Sequence, residues 1–468
     1  MYDKVVMISL DTLRADGIAS NPIKLYPHEY KTKTKLVKTA LDELISKSFF
    51  FNNVISSASY TAASHASYFT GLWPKNNGIY DHFNSKLHAT TIFEHAKQNG
   101  YKTVFKTDFP LILGSYLNLI NGVDDYLVED DQSGLDLLKK EDKVMSFFHF
   151  GQVHYPYGFH NLKYGGQDYK DKVIELENKY KLTVEQVNLR DVATETYRDE
   201  ADIQWLYRYK KIVTYLYKNR KDNELFDLYL QGINYFHQHK FNLFLEKLLE
   251  SLKGSNYLIV IFSDHGEAWS DDSFGHFNTL DEGVIRVPII LHASDIKPSF
   301  YSNRIRTVDL APTLQEILFG ESTTPKFDGS SLSDIIYSHK TEDDRDAFAL
   351  CWATRMGEIV NNVKNVNNGE ANAPNIEKSV NFSACGYYKN FKCVHNYQKF
   401  IDRGSVLVKL NTSDVFDMTD LSLPKRVENQ DVKDKLSKPI DDFNDIKQVF
   451  NESTDSLREY FKLQGYNV

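Results

Sequence analysis

Residues 257–267 read YLIVIFSDHGE, an apolar run of strand length that stops abruptly on Ser263, Asp264, His265 and Glu267. A strand buried on both faces shows no polar alternation, so such a run marks a strand inside a sheet covered on both sides. The pattern recurs along the chain. Residues 5–10 (VVMISL) end on Asp11 and Thr12, residues 49–55 lead to Ser59-Tyr60-Thr61, residues 101–105 form another apolar run, and residues 144–150 carry His149 and lead to His154. Between these runs, residues 91–99 closed by Gly100, and residues 307–318 with Asp309 and Pro312 near their start, have helical patterning. Strands alternating with helices predict an α/β protein with a mainly parallel sheet flanked by helices.

The composition agrees and removes several classes of function. With 468 residues, 41% of them hydrophobic and 13% aromatic, the chain can bury a large core, which excludes disorder as a description of the whole. The 55 Lys and Arg against 64 Asp and Glu leave a net charge of -9, so there is no general basic field to attract nucleic acid. No run approaches the roughly 20 apolar residues that a spanning helix needs, so no membrane anchor is expected. Residues 5–10 run directly into acidic residues without a small-residue cleavage site, and read as a first strand in preference to a signal peptide. Cys351, Cys385 and Cys393 have neither metal-finger nor disulfide-framework spacing, which predicts a reducing, cytoplasmic setting.

In domain terms, residues 1–340 are expected to form the catalytic domain, interrupted by a helical excursion over 162–252 that is rich in Lys, Glu, Tyr and Leu. Residues 341–468 are expected to form a smaller C-terminal α+β subdomain of hairpins and a helical tail, with an Asn-rich loop at 361–375. The tyrosines between 164 and 235 are candidates for a lid or pocket wall, and a packed helical core is the simpler account of most of them.

Ligands in an open parallel sheet gather outside the carboxyl ends of the strands, so the residues after each strand are read together. Taken singly, an Asp there caps a helix or makes a turn. Jointly, Asp11, Asp264 and His265 supply two carboxylates and an imidazole, a donor set for a divalent cation. The imidazole favours Mn²⁺ or Zn²⁺ over Ca²⁺. Thr61 precedes a helix-forming stretch, where backbone N–H groups and the helix dipole favour an anion, and is the candidate nucleophile. Ser64 and His65, in the same turn, are candidates for substrate contact.

Four motifs then stand in order: SLDTLRAD at 9–16, T-x-x-S-H-x-S-x-x-T-G at 61–71, SDHGE at 263–267, and GH-x-x-T-L-x-E-x-x-I-R-V-P at 275–288, with DLAPTL at 309–314 continuing the series. In order and spacing the chain resembles the sulfatase family of the alkaline phosphatase superfamily over nearly its whole length. The resemblance implies that Asp11, Thr61, Asp264 and His265 hold the metal, with Thr61 both ligand and nucleophile. It implies that His154, in HYPY, and His276 touch the transferred group or the leaving oxygen, and that Arg14 and Arg286 brace the fold.

The chain departs from the family pattern in two places, the motif at 61–65 and Thr12. Where standard sulfatases carry Cys or Ser in C/S-x-P-S-R for oxidation to formylglycine, residues 61–65 read Thr-Ala-Ala-Ser-His. Oxidation of a threonine carbinol gives at most a ketone, so no formylglycine is expected. His65 stands where sulfatases have Arg, and Thr12 where they have a second Asp ligand. The changes at 61 and 12 resemble relatives that transfer or hydrolyse phosphate and phosphonate esters with a Thr nucleophile.

The expected function is therefore metal-dependent hydrolysis of phosphate, phosphodiester or phosphonate esters, the substrate being a small molecule or a glycan-linked phosphate or sulfate ester. Thr61 attacks in line, a histidine protonates the leaving oxygen, and water or an acceptor alcohol releases the phospho-threonine. Alternatives are a phosphoglycerol- or phosphoethanolamine-type transferase, a sulfuric ester hydrolase working without formylglycine, and a non-catalytic protein that binds a glycan or lipid head. The joint presence of Asp11, Thr61, Asp264 and His265 argues against the last.

Overall fold

The computed structural model describes residues 2–81, 85–110, 112–155, 157, 162–183, 200–270, 273–320, 326–353, 379–401, 403 and 406–446. Its strands, in chain order, are β1 (Lys4–Leu10), β2 (Phe49–Ile55), β3 (Lys102–Thr107), β4 (Asp125–Val128), β5 (Val144–Phe150), β6 (Tyr257–Phe262), β7 (Ala268–Trp269), β8 (Phe274–Gly275), β9 (Arg286–His292), β10 (Ser299–Tyr301) and β11 (Ile305–Arg306). Nine of these form one sheet in the order β10-β2-β9-β6-β1-β5-β3-β4, with β11 beside β2, while β7 and β8 make a separate two-stranded clip. Around β1 the pairing is parallel to both β5 and β6. Strand β9 runs antiparallel to β6 and β2, so the sheet is mainly but not wholly parallel. This strand is part of the I-R-V-P motif, and an internal proline concealed its strand character.

Alternation along β5 shows why both faces are apolar. Phe147 joins the rings of Phe69, Phe93 and Phe105 on one face, with centroids 5.2 Å from Phe69 and 4.5 Å from Phe105. Phe148 and Phe150 point the other way, onto Phe244 at 5.1 and 4.7 Å. Each ring buried this way is worth about 1.5–3 kcal/mol of transfer free energy, which commits β5 to the centre of the sheet.

Between β5 and β6 the chain makes the helices Leu162–Tyr180, Glu200–Lys218, Asp222–Phe236 and Asn242–Ser251, the last two joined by a π-helical turn at His237–Phe241. Tyr169, Tyr209, Tyr217 and Tyr229 are all buried in the second core with Phe148 and Phe150. These tyrosines pack; they do not line an open wall. Residues 184–199 of this stretch lie outside the described residues.

The helix over 91–99 is observed as Ile92–Gln98, with a reciprocal cap in which Thr91 Oγ1 accepts from Glu94 N at 3.2 Å and Glu94 Oε2 accepts from Thr91 N at 2.8 Å. Residues 307–318 divide into a 3₁₀ turn, Thr307–Asp309, and the helix Leu310–Phe319.

C-terminal to these, β12 (Ala347–Ala353), β13 (Val380–Tyr388), β14 (Phe391–Ile401), β15 (Val406–Asp417) and β16 (Lys425–Val427) form an antiparallel sheet in sequence order. The helix Gln430–Phe443 covers it with Val432, Leu436, Ile440 and Phe443. Strand β12 is stitched to the first unit just ahead of Thr61, Leu350 N donating to Ser57 O at 3.0 Å and Ser59 N to Leu350 O at 3.2 Å. The Asn-rich loop at 361–375 and the end of the tail from 447 lie outside the described residues. Among the described residues, no helix is long and apolar enough to cross a membrane.

Candidate active site

Parallel pairing of β1 with β5 and β6 brings three strand ends to one edge. Ser9 is in register with His149 and with Phe262, so Asp11, His149 and the pair Asp264-His265 emerge together. The fourth contributor is the helix Thr61–Thr70, whose ten residues are all buried and which ends on Gly71 in the left-handed conformation. Thr61 occupies its first position, where the backbone N–H groups lack helical partners.

Thr61 Oγ1 lies 3.3 Å from Asp11 Oδ2 and 3.3 Å from His265 Nε2. Ligand atoms of Asp11, Asp264 and His265 all fall within 4.8 Å of one another. His265 Nδ1 donates to Gly266 O at 3.0 Å, which leaves Nε2 as the lone-pair nitrogen facing the carboxylates. Asp264 Oδ1 accepts from the backbone N–H of Thr12 and of His265 at 3.1 and 2.9 Å, whereas its Oδ2 is buried without a hydrogen-bond partner. A buried acceptor oxygen left open beside a second carboxylate and an imidazole lone pair is the donor set that a divalent cation completes.

The electrostatics agree. Burial, with the negative charge on Asp11, pushes the Asp264 carboxyl well above its ordinary range. Burial works the same way on Asp11, but the hydrogen bond from His149 and the imidazoles of His154 and His265 outweigh it and hold that carboxyl well below. Two adjacent buried acids driven in opposite directions mark a candidate functional site.

Thr12 carries the local strain. Its φ of 67° lies in the left-handed region, uncommon for a β-branched residue. Here Oγ1 donates to Asp11 Oδ1 at 2.6 Å while its carbonyl accepts from Tyr229 Oη at 2.8 Å. Arg14, fully buried, is taken up by Asp16, Glu29 and the carbonyl of Glu267, and Arg286 by Glu282 and the carbonyl of Leu421. Both arginines brace the fold.

His154 and His276 come together, their ring centroids 5.1 Å apart, and His276 lies 4.2 Å from the ring of His265. Ser64 and His65 do not join them. Ser64 Oγ donates to Asp264 O at 2.7 Å, and His65 bonds Thr61 O through Nδ1 at 2.8 Å and Ser9 Oγ through Nε2 at 2.9 Å. Both are fully buried, and burial together with His149 pushes the His65 imidazole down to about 3. Helical periodicity turns the side chains at 64 and 65 behind Thr61, toward β1 and β6, where both meet protein partners.

Two neighbours of the site were absent from the residue set drawn from the sequence. His149 Nε2 donates to Asp11 Oδ2 at 3.0 Å, with Nδ1 facing the N–H of Asp108, and Glu267 meets His276. A histidine inside an apolar strand, in register with Ser9 and so two residues from Asp11, was the available signal for the first.

The Sulfatase family model matches residues 3–320, a span that holds every site residue above. No curated protein matches the sequence. Among solved structures, the chain is similar to a protein determined in complex with its substrate D-glucosamine-2-N,6-O-disulfate, with 15% identity, 100% of this chain and 99% of that one covered, and a TM-score of 0.60. It is also similar to the phosphonate monoester hydrolase of Agrobacterium radiobacter (15%, 100% and 96%, TM-score 0.58) and to that of Silicibacter pomeroyi (15%, 100% and 96%, TM-score 0.52). At such identity the likeness is one of fold. The family match, over both sheet-edge motifs and the helix Thr61–Thr70, goes further: the chain belongs to the sulfatase family.

Proposed function

We propose that the protein is a metal-dependent hydrolase of phosphate, phosphodiester or phosphonate esters, small or glycan-linked, with Thr61 as nucleophile. One observation carries the reading: a threonine hydroxyl at a helix N-terminus, 3.3 Å from both Asp11 Oδ2 and His265 Nε2. Asp11, Asp264, His265 and Thr61 would hold the ion, and the mixed oxygen and imidazole donors favour Mn²⁺ or Zn²⁺ over Ca²⁺. When bound, a divalent cation neutralises charge on the transferring group and lowers the pKa of a ligating hydroxyl.

The chain's own residues supply the remaining chemistry. Asp11 accepts the hydrogen bond of Thr61 Oγ1, orients its lone pair for in-line attack, takes its proton as the oxygen bonds to phosphorus, and returns it when Thr61 is released. His149 holds Asp11 in place through Nε2. The first N–H groups of the helix Thr61–Thr70 face an anionic ester. His154 and His276 stand together as the groups that contact the transferred group and protonate the leaving oxygen, which breaks the P–O (or P–X) bond and leaves the phosphoryl group on Thr61. Water then attacks phosphorus and regenerates the hydroxyl. Threonine's secondary carbinol cannot become an aldehyde hydrate, which favours phosphoryl over sulfuryl transfer. The three cysteines are buried and free, which supports a reducing, cytoplasmic compartment.

The test is metal analysis of the purified protein with turnover of p-nitrophenyl phosphate, a phosphodiester, a phosphonate monoester and a sulfate ester, with Thr61→Ala as control. Stoichiometric divalent metal, turnover of a phosphorus ester and its loss in Thr61→Ala are expected. Full activity in Thr61→Ala, or neither metal nor turnover, would overturn the reading.

A further inference from the structure

The imidazole of His276 is held from behind by a carboxyl group. His276 Nδ1 lies 3.1 Å from Glu267 Oε1, and Tyr157 Oη donates to Glu267 Oε2 at 3.4 Å. All three residues are buried, with exposures of 2%, 1% and 1%. The pairing of Ala268 with Gly275 in the β7–β8 clip makes Glu267 and His276 the next opposed positions. Gly275 is at φ +62°, and a Cβ there would sit 2.4 Å from Glu267 Oε1, so the absence of a side chain clears the place that the carboxyl occupies. A carboxyl serving stability alone has a better partner at hand, the buried guanidinium of Arg14. That guanidinium instead bonds the Glu267 carbonyl at 3.0 Å, and the carboxyl is turned to the histidine.

We propose that Glu267 is a positioning residue that acts through His276. By engaging Nδ1 it fixes the ring and leaves Nε2 as the nitrogen presented to the reacting group, while Tyr157 fixes Glu267 in turn. The inference rests on the reading of His276 given above, and adds the group that orients it. Groups that orient metal-ligating imidazoles contribute about 10- to 100-fold to activity, and the same order is expected of Glu267 behind His276.

The experiment is a double-mutant cycle on the ester series, using aryl esters whose leaving groups differ in basicity, for wild type, Glu267→Ala, Glu267→Gln, His276→Ala and the double variant. Glu267→Ala is expected to lower kcat by about 10- to 100-fold with KM little changed, most for the most basic leaving groups. In the His276→Ala background it should add less than about two-fold. Glu267→Gln, which keeps an acceptor oxygen at the same reach, should recover part of the loss. An undiminished effect of Glu267→Ala without His276, or an effect on KM alone, would overturn the proposal. If wild type turns over no ester, the functional reading fails by itself, and the positioning claim is decided by ¹⁵N NMR of labelled histidines. A hydrogen-bonded Nδ1 signal of His276 that is lost in Glu267→Ala supports it, and one unchanged in that variant refutes it.

Discussion

Two buried carboxyls, Asp264 and Glu282, sit in the same chain segment and are treated in opposite ways. Glu282 is closed. Its Oε1 meets Lys392 Nζ at 2.8 Å and the hydroxyl of Tyr387, its Oε2 meets Arg286 at 2.5 Å, and these contacts tie the first unit to the C-terminal sheet. Burial raises its pKa, yet Lys392 and Arg286 outweigh this and bring the carboxyl down to about 2. Asp264 has only backbone N–H donors on one oxygen and no hydrogen bond on the other, and its carboxyl is driven up. Where a fold needs an acid for cohesion it completes the ion pair; where it needs one for chemistry it leaves an oxygen open.

The contrast can be broken at either end. The largest effect is expected at the open carboxyl. Asp264→Asn should lower turnover of the preferred ester by about 100-fold or more and abolish stoichiometric metal, since a proposed ligand and a charge are lost together. The metal-free variant should nevertheless unfold at the same or higher denaturant concentration than metal-free wild type, because the substitution removes a buried acid that lacks compensation. Equal loss of stability and activity would erase the distinction between the two sites.

Glu282→Ala should do the reverse. Lys392 and Arg286 would be left buried beside a vacated partner, at a cost of about 3–5 kcal/mol in urea unfolding. The pH dependence sharpens the point. Glu282 has its folded pKa depressed to about 2 from an ordinary 4.5, so its contribution is present above pH 4.5 and is lost as pH falls toward 2. That depression corresponds to about 3 kcal/mol. Unfolding free energies measured from pH 5 down to pH 2 should fall more steeply for wild type than for Glu282→Gln. Parallel curves would contradict the assignment. At the small end, Lys97→Ala removes a surface pair, Lys97 Nζ to Asp124 at 2.6 Å with the lysine half exposed, and should change stability by less than about 1 kcal/mol.

Much of this was legible before any coordinates. Asp11 and Asp264 stand immediately after apolar runs, and parallel neighbours carry their ends to one edge, so strand grammar alone brings the two acids together. The face of the helix Thr61–Thr70 was not legible. All ten of its residues are buried, so it has no polar stripe to show which way Ser64 and His65 turn, and both point behind Thr61. His149 was visible in its strand but left out of the site because its surroundings, FFHF, read as strand interior; its place opposite Ser9 gives it Asp11 as a partner. Glu267 stood within a quoted motif, but its link to His276 depends on the register of a two-residue clip too short to have a period.

The most direct test of Thr61 as nucleophile is mass spectrometry of the Thr61 peptide after rapid acid quench of wild-type enzyme turning over its best phosphorus ester. The account predicts a phosphorylated Thr61 that forms and decays within the turnover time and never appears in Thr61→Ala. Turnover with Thr61 unmodified throughout, or the phosphoryl group on another side chain, would contradict it.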